Sequence, residues 1–248
     1  MNAQTNKTGI AKEFANFQLL MRSIPSWTVA LFTVSVVSMN LLANKEIHTG
    51  VPWLALDAGL TMSWMSFLAM DLITKRFGPK AAIQVSMFAV GVNMLMCVLL
   101  NLVTRLPGNW SAYYMFNNTE VNLALDATFG GTWYVVFGST VAFLSSSIVN
   151  ALVNAGIGNK LSNASFKDFA IRSYVSTLFA QYVDNLVFAF VVSHTFFGWS
   201  VLQCLTCAAT GCLMELLCEV VFSPVGYRVS KQWEVDQVGS EYVNRRGV

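Results

Sequence analysis

Six long apolar stretches constrain this chain more than any other feature: roughly Trp27 to Asn44, Trp53 to Ile73, Ala81 to Val103, Thr132 to Ala155, Ser173 to Phe197 and Ser200 to Val225. Each approaches the ~20 residues that a helix needs to cross a hydrocarbon core about 30 Å thick. The fold class expected is therefore an all-α polytopic membrane protein with six transmembrane helices. The basic residues orient it. Lys7, Lys12 and Arg22, then Lys75, Arg76 and Lys80, then Lys160, Lys167 and Arg172, then Arg228, Lys231, Arg245 and Arg246 all fall on alternate connections. Only Lys45 and Arg105 fall on the others. Short basic loops resist translocation, so this bias predicts that both termini are cytoplasmic.

With 55% hydrophobic and 11% charged residues, the chain is too apolar for a soluble globule, in which about a quarter of residues are charged. It divides into a cytoplasmic or interfacial segment over 1–26, a six-helix transmembrane domain over 27–225 and a cytoplasmic tail over 226–248. The segment before Trp27 lacks the short apolar core and cleavage site of a signal peptide, so the first span is expected to be retained. A net charge of +2 without a dense basic run argues against nucleic acid as a partner. All five cysteines (Cys97, Cys204, Cys207, Cys212, Cys218) fall inside predicted spans. Cys204 and Cys207 form a CxxC, but with no second pair and no nearby His it reads as packing, and neither metal nor cofactor is expected. His48 and His194 lie at outer helix ends.

Residues before Pro25 carry an amphipathic hint in Phe14, Phe17, Leu20 and Met21, as in a short interfacial helix. The longest connection, Thr104 to Gly131, is rich in aromatic and turn residues. It either caps a pocket from outside or rests in the interface as an aromatic belt does. Spans four and five resemble each other at an offset of 34 residues, Ser147 and Asn150 falling over Gln181 and Asp184. Such antiparallel copies suit the inverted repeats of transporters, although a few matches in apolar helices also arise by chance.

A charge at mid-bilayer is costly, so each one needs a partner, a proton or a task. Asp184 lies near the middle of span five, one turn from Gln181 and beside Asn185. Glu215 and Glu219 are four apart on one face of span six, where two ionised groups repel, so one should carry a proton or meet a cation. Asn93 is central in span three, Asn150 and Asn154 occupy the inner half of span four, and Asn40 and Asn44 line the outer end of span one. Asp71 sits at the inner end of span two, near Lys75 and Arg76. Asp57 and Asn185 are read as packing, whereas Gln181, Asp184, Glu215 and Glu219 lean toward function. Such a set suits a flat hydrogen-bonding solute better than an ion. A guanine-like base offers an N–H and an NH2 side by side, to which a carboxylate accepts two parallel bonds, while amides read the other edge and an aromatic ring covers the face. Trp64, Phe67, Tyr182, Phe188 and Trp133 are candidate stacking surfaces.

The stretch from Ser63 to Gly78, with Asp71 in its middle, the run Arg172-x4-Thr177-x3-Gln181-x2-Asp184-x3-Phe188, and the ending from Phe222 through Pro224 to Tyr227 resemble the queuosine precursor transporter (VUT) family. The likeness runs from about Thr33 to Tyr227. One position departs: the family usually has a Glu four residues after Asp71, and here Lys75 stands there. The resemblance implies a bacterial inner-membrane protein that imports 7-deazaguanines (7-cyano-7-deazaguanine or its 7-aminomethyl relative), without an ATPase module, and compatible with a homodimer. On this reading Gln181, Asp184, Glu215, Glu219, Asn93, Asn150, Trp64 and Asn40 are the candidate binding residues, with Asp71 and Arg172 at the cytoplasmic end in structural or gating roles. A secondary or facilitated mechanism leads. The substrate-binding subunit of an energy-coupling-factor vitamin importer is the alternative. An intramembrane aspartyl protease would recruit Asp71 and Asp184, but the Gly-x-Gly-Asp setting of that chemistry is absent, so no enzyme is expected.

Overall fold

In the computed structural model, which describes residues 9–158 and 166–246, proline and glycine punctuate a chain that is otherwise almost wholly helical. α1 (Gly9–Ser23) stops before Pro25, and α2 (Ser26–Leu42) starts after it at an angle of 102°. The residue preceding a proline is driven out of the helical region, which sets the break.

β1 (Glu46–His48) and β2 (Ala55–Asp57) then pair antiparallel, with Ile47 opposite Leu56. This corrects the expected second span. Residues 53–57 belong to a hairpin, and α3 (Leu60–Phe77) begins only afterwards. The cause is local: Asp57 Oδ1 accepts the Gly59 N–H at 2.8 Å, a side-chain bond that competes with the helical ladder. α4 (Pro79–Val103) is separated from α3 by Gly78, whose φ of 86° suits glycine. Pro79 opens α4, where its missing N–H costs nothing.

The long connection is structured. It folds into α5 (Ser111–Phe116) and α6 (Thr119–Gly130), joined by a Trp110 Nε1 bond to Asp126 Oδ1 at 2.8 Å. Asn101 of α4 donates to the Gly130 carbonyl at 3.0 Å and fastens the unit to that helix. α7 (Trp133–Gly158) and α8 (Phe166–Phe188) form the most extensive helix pair. α8 runs into a π-helical turn, Ala189–His194, and the single turn α9 (Thr195–Phe197). Ser200 and Gln203 cap each other reciprocally to open α10 (Val201–Val235), which continues well past the apolar stretch and is followed by α11 (Ser240–Arg246).

The ends of the chain share one core. Leu20 of α1, Ile24 just after it, Phe77 of α3, Trp233 of α10 and Tyr242 of α11 are buried in a single cluster, and α1 packs on α11. Arg76 Nε donates to the Val238 carbonyl at 2.9 Å and ties the turn before α11 to α3.

Elsewhere the apolar residues face outward. Ile83, Met94, Leu95 and Leu102 on α4, with Leu213, Leu217 and Val221 on α10, are exposed. Exposed apolar surface on this scale is matched by lipid, not water. Among the described residues, the segments Pro79–Val103, Thr119–Ser146 and Val201–Phe222 are long and apolar enough to cross a membrane, and the bent pair Ala11–Ser23 with Ser26–Leu42 makes a fourth if it counts as one span. The chain is a multi-pass helical membrane protein.

Candidate functional site

Six elements converge on one cavity. α2 supplies Met39, Asn40 and Ala43, the hairpin exit supplies Asp57 and Gly59, and α3 supplies Leu60, Ser63 and Phe67. α7 adds Ser139, α8 adds Asp184, Asn185 and Phe188, and α10 adds Glu215. The volume is about 60 Å³, space for a few waters at the ~15 Å³ that each requires.

Three carboxylates therefore face one small space. Asp184 Oδ1 accepts from Ser146 Oγ at 2.8 Å. Glu215, 4% exposed, accepts from Asn185 Nδ2 at 3.1 Å, and the Ser63 hydroxyl reaches it as well. Asp57 lies on the hairpin, outside the spanning helices. Burial pushes its carboxyl up to about 6, against the pull of the Gly59 and Leu60 N–H groups. Among the described residues no ion pair reaches any of the three, since the two present join Lys80 to Glu13 and Lys231 to Glu234. Carboxylates removed from water without a cation are held at a cost. Asn40 adds a second unmet demand: it is 2% exposed, it lines the cavity, and its Nδ2 has no partner.

Glycine lets the walls close. A Cβ at Gly59 would lie 2.7 Å from both Asp57 Oδ1 and the Met39 carbonyl, so only glycine allows the hairpin to lean on α2. At Gly211, one turn before Glu215 on α10, a Cβ would meet Asn185 Nδ2 at 3.1 Å and Leu60 Cδ2 at 3.0 Å. The C-terminal end of α2 is fixed in turn by Tyr134, whose hydroxyl donates to Asn44 Oδ1 at 3.0 Å.

Of the residues singled out from sequence, the cavity brings together Asn40, Asp184 and Glu215, along with Phe67 and Phe188 from the aromatic set. Gln181 lies one turn before Asp184, 1% exposed and with both amide atoms unpartnered among the described residues, but it does not line the cavity. Asn93 is buried on α4 and does not line it. Trp64 stacks on Phe222 at 4.4 Å instead of facing the cavity, and neither Tyr182 nor Trp133 lines it. The side chains of Asp71, Asn150, Asn154, Arg172 and Glu219 lie outside the described residues. The connection from Thr104 to Gly131, read as either a cap or an interfacial segment, contributes no residue to the lining, whereas the hairpin exit does. Asp57 and Asn185, read as packing, stand on the wall, as do Ser63 and Ser139, which the sequence did not mark out. An acid two residues before a glycine in an otherwise apolar stretch was the signal available for Asp57.

A helical bundle with lipid-facing apolar sides, enclosing acids and amides around a cavity, belongs to the class of membrane transport proteins. Residues 57–229 match the family described as "Putative vitamin uptake transporter", and since that is most of the chain, the protein belongs to this family. No curated protein and no solved structure matches it.

Proposed function

We propose that this chain imports a purine-like solute, a 7-deazaguanine used in making queuosine, across the bacterial inner membrane by a secondary or facilitated mechanism. In this reading it crosses the membrane six times, with both termini cytoplasmic. One observation carries it: Asp57, Asp184 and Glu215 share a cavity with the amides of Asn40 and Asn185, and Phe67 and Phe188 lie on its wall. A carboxylate accepts the paired N–H and NH2 of a guanine-like edge, an amide reads the carbonyl side, and a ring covers the face. At about 60 Å³ the cavity is far below the ~300 Å³ of pockets that hold drug-sized ligands. Solute entry therefore requires the helices to part, as alternating access demands.

Asp184→Ala should reduce uptake of labelled 7-cyano-7-deazaguanine by about tenfold or more, the cost of losing a charge-assisted bond pair. Membrane level and thermal midpoint of the variant should be retained. Normal uptake would remove Asp184 from the site. The purified chain reconstituted alone in vesicles should also take up the solute, whereas strict dependence on an added ATP-driven module would favour the energy-coupling-factor reading.

A further inference from the structure

A guanine-like edge engages one carboxylate, yet three face the cavity. The surplus is the clue. Each ionised carboxylate accepts up to about four hydrogen bonds, while among the described residues Asp184 has one side-chain donor in Ser146, and Glu215 has Asn185, with the Ser63 hydroxyl shared between it and the Leu60 carbonyl. Among the described residues no Lys or Arg pairs with them. On the opposite account, Asn40 Nδ2 is a buried donor that lacks an acceptor among the described residues.

Deepening the reading above, and resting on it, we propose that the solute is a cation. A protonated primary amine is held by Asp57 together with Asp184 or Glu215, and an acceptor atom on the same molecule takes the bond from Asn40. The charge of the solute supplies what the described residues leave out, since attraction between buried opposite charges offsets their removal from water only when both are present. Asp57 is set for this task because the Gly59 N–H fixes its carboxylate at 2.8 Å. That bond also makes Asp57→Asn a mild change, as the amide oxygen can accept the same N–H. Selectivity follows directly. Between solutes that differ only by a neutral group in place of an amine, the amine should win.

The test is thermal unfolding of the purified full-length protein with two pairs of probes. One pair is 7-aminomethyl-7-deazaguanine and 7-cyano-7-deazaguanine; the other is pyridoxamine and pyridoxine, which exchange an amine for a hydroxyl. The amine of the first pair should bind about tenfold tighter or better, as one charge-assisted bond allows. Asp57→Asn should erase that preference, and Asp184→Asn provides a second reading should the first variant unfold. Equal binding of both members, or a preference that survives in both variants, would overturn the proposal. If neither deazaguanine binds but pyridoxamine is preferred over pyridoxine in an Asp57-dependent way, the deazaguanine reading fails while the cationic solute stands. Stabilisation by none of the four overturns both.

Discussion

A hydrogen in place of a methyl at position 59 decides whether the hairpin reaches the cavity. With a Cβ there, Asp57 Oδ1 and the Met39 carbonyl would each be 2.7 Å away, and the Met39 carbonyl is backbone that cannot swing aside. Gly59→Ala should therefore cost about 1–3 kcal/mol, as overpacking does. At 2–4 °C per kcal/mol for a chain of this size, that is roughly 2–12 °C in the thermal midpoint. An unchanged midpoint in detergent would mean that the hairpin has slack against α2. The same scale explains what could be read in advance. Asp184, Glu215 and Asn40 stand out in any apolar run because burying them is costly wherever they point. Asp57 is marked only by the glycine two residues on and Asn185 not at all, because their places on the wall depend on the turn at Gly59 and on how closely Gly211 brings α10 to α8. Ser63 and Ser139 are quieter still. A helical serine usually bonds a carbonyl three or four residues back, as Ser63 does with Leu60 at 3.3 Å, so composition carries no hint of a wall position.

Elements were legible where length decides and obscure where it does not. The long apolar runs became helices, but the run from Trp53 to Asp57 is short enough to suit a strand or a helix equally, and the turn chemistry chose the strand. The π-helical turn Ala189–His194 has no sequence signature at all, and it meets α7 where Gly138 leaves no room for a Cβ beside Val192. The offset copies in spans four and five lie on α7 and α8, and the residue of α7 that bonds Asp184 is Ser146, which the offset does not single out. At the opposite end of the bundle, α11 holds Tyr242 at 1% exposed against Phe77 and Trp233. Tyr242→Ala should lower stability by about 3–5 kcal/mol, the cost of truncating a buried aromatic. Thermal unfolding of the full chain measures this, and a loss under ~1 kcal/mol would show that α11 only rests on the bundle.

At the scale of the whole molecule, direction of insertion is carried by charge, not by shape, since a bundle turned over is the same bundle. The proposal that Lys45 lies outside and Arg245 inside can be checked in a variant without the five native cysteines. Lys45→Cys should react with a membrane-impermeant maleimide in intact cells, and Arg245→Cys only after the membrane is broken. The reverse pattern would invert the transporter. Parity asks for less than orientation and comes from the contact between α1 and α11. In the proposed topology the first and last described helices lean on one another on the same shore, and every outward crossing has its return. The proposed topology excludes odd totals, so in it the three helices that pass the length and hydropathy test have at least one companion in the bilayer.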